Sequence, residues 1–138
     1  MAKAKKINTG EWAEGEFVRI LEGRKSFVYK FTDAKAAKNK NVAAVPADFL
    51  VAEDNHLYLA EIKSTGLEHS FPFSMVTRME KMVATIFWKL GIGAFYMFYV
   101  YHTERKTWYM FSAAQFCVAK KKSIPWEEMA FWGAGNAA

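Results

Sequence analysis

The chain has 138 residues, 52% of them hydrophobic and 17% aromatic. That suits one buried core, leaves no room for a second catalytic module and excludes a mainly disordered chain. Lysine and arginine outnumber aspartate and glutamate by 19 to 14, and the net charge of +5 favours polyanionic partners without identifying one. Cys117 is the only cysteine, which excludes an intrachain disulfide and a cysteine-ligated zinc site and points to a reducing, cytoplasmic setting.

A single domain is expected over residues 1–138. The opening MAKAKKINT reads as a solvated basic tail over 1–9. It runs into Glu11, Glu14 and Glu16 rather than an apolar segment, so it is not a secretory signal. Trp12, Ala13, Phe17, Ile20 and Leu21 have the spacing of a helix over Glu11–Glu22, with Thr9 as its N-cap and Gly23 as its stop. Ser26–Phe31 alternates and is rich in aromatics, which predicts a strand. A basic loop over 33–46 carries Lys35, Lys38 and Lys40 up to Pro46; these lysines suit DNA phosphates, and equally suit a merely solvated loop.

Asp48–Ala52 and Leu57–Lys63 predict a hairpin closed by Asp54 and Asn55. Phe73–Leu90 predicts a helix burying Met75, Val76, Met79, Met82, Val83, Ile86 and Phe87, and Gly91 ends it. The methionines on that stripe are core or a dimer interface. Val83–Tyr101 is apolar for about the length of a bilayer span, but Lys89, Gly91 and Gly93 divide it into a helical half and a strand-like half, so no membrane partner is expected. Ala94–Tyr101 and Thr107–Phe111 form a second hairpin around the turn His102–Lys106. Beyond it come Lys120–Lys122, a short helix after Pro125, the aromatics Trp126, Phe131 and Trp132, and a frayed tail over 133–138. His56, His69 and His102 fall at turns without metal-ligand spacing and read as surface groups, and Cys117 reads as buried filler. The elements in sum predict an α/β fold with a central mixed sheet flanked by helices.

A two-residue turn at Asp54 and Asn55 sets Asp48 directly opposite Glu61, with Cβ atoms about 4.5 to 5.5 Å apart. Two carboxylates at that spacing can grip one hard cation, and Lys63 shares their face two residues on. Both faces of the hairpin are otherwise apolar (Phe49, Leu50, Val51, Leu57, Leu59, Ala60, Ile62), so the strands are central and the charged trio sits where burial is costly. Phosphodiester hydrolysis uses these groups: Mg²⁺ (or Mn²⁺) held by Asp48, Glu61 and the Ile62 carbonyl neutralises the phosphate, and Lys63 orients the attacking water. Glu14 on the first helix is a candidate further acid. An ordinary salt-bridge cluster is the alternative reading of the same residues.

Pro46, Asp48 and then Glu61-Ile-Lys63 resemble the signature of the PD-(D/E)XK nucleases, whose core is restriction-endonuclease-like. Asn8, Gly10 and Glu14 resemble the opening of RecU-type Holliday junction resolvases, and Gly10 with Glu14 also fits the archaeal Hjc pattern. Glu61-Ile-Lys-Ser-Thr65 is similar to the E-x-K-x-T of both groups, and Ser70-Phe-Pro-Phe73 to the S-F-P-L of RecU. The resemblance implies a Mg²⁺-dependent homodimer that makes paired nicks in a four-way junction, with Glu14, Asp48, Glu61 and Lys63 catalytic and with Thr65 and Ser70 among the DNA contacts. Two departures stand out. Arg78 occupies the place of a glutamine on the second helix, which implies a phosphate contact there, and Phe31–Pro46 is shorter than the RecU stalk. A sequence- or nick-specific nuclease of the same superfamily, or a non-catalytic DNA-binding protein, are the alternatives.

Overall fold

The middle of the chain folds as a hairpin around which the remaining elements pack. The computed structural model describes residues 9–32 and 45–133. Strands β2 (Phe49–Glu53) and β3 (His56–Thr65) pair antiparallel across Asp54 and Asn55. Both turn residues have positive φ, 51° and 65°, the left-handed conformation that their short polar side chains tolerate and that a two-residue hairpin needs. The last pair toward the open end is Phe49 with Ala60, so the next step sets Asp48 opposite Glu61.

Strand β1 (Phe27–Lys30) pairs with β2 at the outer edge, and β5 (Tyr96–His102) runs parallel to β3. With β6 (Thr107–Ser112) and β8 (Ala130–Trp132) they make a six-stranded mixed sheet of order β1-β2-β3-β5-β6-β8. Helix α1 (Thr9–Glu22) covers one face, where Ala13, Phe17 and Leu21 pack on Phe49, Val51, Ala60, Ile62, Tyr99 and Trp132. The other face carries α2 (Arg78–Lys89) and α3 (Ala113–Val118), with Ala84 and Ala113 in a core shared with Phe98, Val100 and Phe111. A small second sheet pairs β4 (Ser70–Pro72) with β7 (Ser123–Pro125). The architecture is the expected α/β arrangement of a mixed sheet flanked by helices.

Several expectations change in detail. The helix predicted over Phe73–Leu90 is interrupted: Phe73–Met75 is a single 3-10 turn, Val76 is extended, and Thr77 caps a new helix that starts at Arg78. The break follows from pairing, because β4 is committed to β7 and the Phe73 N–H donates to the Lys122 carbonyl at 2.9 Å. The helix phase is then set by the Thr77 cap, which turns Glu80 and Ala84 inward and leaves Met82 and Ile86 about half exposed (50% and 47%). The apolar run Val83–Tyr101 is divided between α2 and β5, and no helix among the described residues is long and apolar enough to cross a membrane.

His102 ends β5 as a fully buried residue rather than lying on the surface. Its Nδ1 accepts the Glu104 and Arg105 N–H groups at 3.2 and 3.1 Å. That fixes the tautomer, so Nε2 donates to the Leu67 carbonyl at 2.8 Å. Helix α3 went unpredicted, although Ser112 and Gln115 form a capping box at its start. Trp126 and Trp132 are buried and only Phe131 of the tail aromatics is exposed, while Cys117 is half-buried rather than enclosed.

Candidate active site

The end of the hairpin opens on a buried cluster of three carboxylates and one amine. Asp48 is held in place by its own backbone: its carbonyl accepts the Phe31 N–H at 3.0 Å, and two residues earlier the Pro46 carbonyl accepts the Tyr96 hydroxyl at 2.9 Å. Its side chain crosses toward β3, where Oδ2 accepts the Ile62 N–H at 2.8 Å. A strand residue directs its N–H and C=O to the same side, so the Ile62 carbonyl also leaves β3 there, past the end of β2.

Alternation along β3 places Ala60 and Ile62 under α1 and turns Leu59, Glu61 and Lys63 toward the α2 layer. Glu61 is 5% exposed. The Lys63 ammonium lies 2.8 and 3.1 Å from the two Glu80 oxygens and 3.8 Å from Glu61 Oε1. Glu80 is therefore the group that α2 sends into the site. The capping box orients it: the Thr77 N–H donates to Glu80 Oε1 at 2.8 Å and the Glu80 N–H donates to Thr77 Oγ1 at 3.3 Å.

Three acids facing one lysine in a desolvated pocket cannot all stay ionised. Burial, with the charges of Asp48 and Glu80 beside it, pushes the Glu61 carboxyl up to about 11. Glu61 is thus neutral at physiological pH. Burial also raises Asp48, against the opposing hydrogen bonds from Glu61 and the Ile62 amide. Glu80 goes the other way. Burial pushes it up, but hydrogen bonds from Glu61, Lys63 and the Thr77 backbone outweigh that and hold it below its ordinary value. Tyr96, packed beside the three acids, is raised by burial and then by their charges.

Of the residues singled out in the sequence, the structure brings together Asp48, Glu61, Ile62 and Lys63. Glu14 lies half-buried on α1, where it lines a concavity with Lys30 and Phe49. Thr65 ends β3, its carbonyl accepting from the Thr103 N–H at 2.9 Å, and Ser70 opens β4 opposite Pro125. Arg78 is exposed at the first position of α2, and Glu80, which the sequence reading did not single out, is the residue of that helix that reaches Lys63. Lys35, Lys38 and Lys40 lie outside the described residues, as do Lys3, Lys5 and Lys6.

No protein-family profile and no curated protein matches the chain. Solved structures do. The chain is similar to Hjc, a Holliday junction resolvase from the archaeal hyperthermophile Archaeoglobus fulgidus, with a TM-score of 0.57 and 12% identity over 88% of this chain and 95% of that one. It is also similar to D212, a nuclease from a fusselovirus, with a TM-score of 0.51 and 10% identity over 95% of this chain and 90% of that one. It shares their fold. At these identities the likeness concerns the arrangement of sheet and helices, and the side chains must be judged by their own geometry.

That geometry fits a hard cation in its chemistry. Oxygen donors converge from two neighbouring strands, and the pocket already holds a proton that a cation would replace. Among the described residues no three His, Cys, Asp or Glu side chains are set to hold a metal ion as they stand; the oxygens that could hold one are those of the Asp48 and Glu61 pair and the carbonyl of Ile62.

Proposed function

We propose that this protein is a Mg²⁺-dependent, structure-selective DNA endonuclease that resolves four-way junctions by paired phosphodiester hydrolysis, acting as a homodimer with one site per subunit. The reading rests above all on one observation: Asp48 and Glu61 meet across neighbouring strands in a buried pocket, with the Lys63 amine alongside. Asp48, Glu61 and the Ile62 carbonyl would hold the Mg²⁺, which supplies charge neutralisation at the phosphate and a more acidic water when bound.

The chain's own groups then divide the work. Lys63 provides a positive charge next to the scissile phosphate and orients the water that attacks phosphorus as the bond to the leaving sugar oxygen breaks. Glu80 keeps Lys63 extended into the site through both of its oxygens and so acts as a positioning residue. Thr65 and Ser70, on the segment that leaves the site, and Arg78, at the start of α2, are assigned to the DNA backbone. The junction reading draws on the resemblance of the E-x-K-x-T and S-F-P-F motifs and on the fold shared with a protein named as a Holliday junction resolvase.

The test is cleavage of a synthetic four-way junction against a linear duplex of the same sequences, with and without Mg²⁺. Symmetric cutting of the junction alone is expected. Asp48→Asn should lower the cutting rate by roughly 10²- to 10³-fold, the scale set by losing one charge-stabilising group, while junction binding persists. Equal cutting of duplex and junction points instead to a sequence- or nick-specific enzyme, and binding without cutting to a non-catalytic protein.

A further inference from the structure

Thirteen of the chain's lysines and arginines fall in the described residues, and their ion pairing is uneven. Arg19, Arg24, Lys63 and Arg105 each face a carboxylate. Arg78, Lys81, Lys120, Lys121 and Lys122 form no salt bridge among the described residues and are all exposed.

These five are far apart in sequence but sit on or beside two helices that pack against each other. Arg78 and Lys81 stand three residues apart on α2, hence on one side of it. Lys81 lines a concavity with Phe116 and Cys117 of α3. The chain leaving α3 reaches Lys120–Lys122 within four residues and is tied back to the start of the α2 segment, where the Lys122 carbonyl accepts the Phe73 N–H and Phe73 meets Phe116 edge to face at 4.9 Å. Glu128 also lies on this surface, lining a groove with Lys120 and Lys121. The patch begins one helical turn from chemistry, since Glu80, between Arg78 and Lys81, turns inward to Lys63.

We propose that Arg78, Lys81 and Lys120–Lys122 form one phosphate-binding track that leads away from the carboxylate cluster over α2 and α3 and grips the backbone of the DNA arm beside the cut. This rests on the nuclease reading above and adds to it a path for the substrate. Five exposed cations without a salt bridge among the described residues, strung over two helices rather than gathered in a pocket, suit a repeating anion read without sequence, which is what a sugar-phosphate backbone offers.

Binding of a fluorescently labelled four-way junction and of a labelled duplex, measured without divalent metal across a salt series, tests the track. Replacing Lys120, Lys121 and Lys122 together by alanine should weaken both DNAs alike. The slope of log affinity against log salt should become shallower by about 2.7, three phosphate contacts at about 0.9 each. The double variant Arg78→Ala/Lys81→Ala should lower it by about 1.8 on the same scale. A control double variant, Lys25→Ala/Lys106→Ala, removes two cations that likewise make no salt bridge but sit in turns away from α2 and α3, and should leave the slope unchanged. A triple variant indistinguishable from wild type, or a control that flattens the slope as much, overturns the track and leaves the nuclease proposal standing. Failure of the wild type to bind either DNA removes both.

Discussion

The two faces of β3 obey different rules. On the α1 face Tyr58, Ala60 and Ile62 are buried among Phe17, Tyr99, Trp108 and Trp132, and nearly every neighbour is a ring or a methyl group. On the α2 face the same strand puts Glu61 and Lys63 under a helix that contributes Glu80. A sequence selected only for stability would have filled both faces with hydrophobic groups, since burying an ion pair seldom gains over well-packed apolar residues. The second face has given up packing in favour of charge, and charge held out of water is what a site for polyanion chemistry needs.

The largest effect should come from emptying the first face. Phe17 is fully buried, with ring contacts to Phe49, Tyr99, Trp108 and Trp132, so Phe17→Ala should lower unfolding free energy by about 3 to 5 kcal/mol. Denaturant unfolding followed by tryptophan fluorescence measures this. A loss under about 1 kcal/mol would mean that α1 is loosely docked and the contrast between the faces is false.

A smaller loss is expected from unbalancing the second face. Lys63→Met keeps the length of the side chain but strips Glu80 of its ammonium partner, which removes one half of a buried pair. A cost of about 3 kcal/mol follows. Glu80 should answer by taking up a proton, so the variant should regain stability as pH falls toward 5. The double variant Lys63→Met/Glu80→Met, with no charge left uncompensated by that pair, should recover most of the loss. A double variant no better than the single one would sink the idea that the ion pair, rather than packing, holds these groups.

The contrast between faces was partly legible before any coordinates. Asp54 and Asn55 announced a two-residue turn, and strict alternation then placed Asp48, Glu61 and Lys63 together without further information. Glu80 was hidden because the apolar positions from Met75 to Phe87 suggest one continuous helix with its polar residues outward. The signal that contradicts this is Thr77-x-x-Glu80, a capping box that starts a new helix inside the run. Its meaning depends on β4 being held by β7, a pairing between residues about fifty positions apart that local pattern does not encode. His102 was misplaced for a related reason: a histidine beside a turn reads as exposed unless three backbone groups, set by the fold, close around both ring nitrogens. Strands of three residues such as β4, β7 and β8 carry too little periodicity to be read at all.

The smallest change in stability at acid pH and the sharpest change in pH dependence should come from Glu61→Gln. Glu61 is already neutral in the metal-free protein, and an amide of the same shape keeps a hydrogen-bond donor between Asp48 and Glu80. At about pH 4.5 and below, where the acid is protonated in both the folded and the unfolded chain, stability should therefore move by less than about 1 kcal/mol, and above that pH the glutamine variant should be the more stable of the two. The pH dependence should not survive. An acid whose folded value is raised from 4.5 to about 11 favours folding below its ordinary range, and that contribution drains away as pH climbs toward 11. Asp48 is shifted in the same sense, whereas Glu80 is lowered and contributes above its ordinary range, losing its share only as pH falls below it. Wild type should thus lose stability between about pH 5 and 10 in chelator, and Glu61→Gln should follow a much flatter line. On the proposed metal reading, Mg²⁺ takes the place of that proton, so it should stabilise wild type more at pH 9 than at pH 6 and do nothing for the glutamine variant. Thermal melts at several pH values with and without Mg²⁺ decide the point: parallel pH profiles for the two proteins would show that Glu61 does not hold the proton on which the geometry of the second face depends.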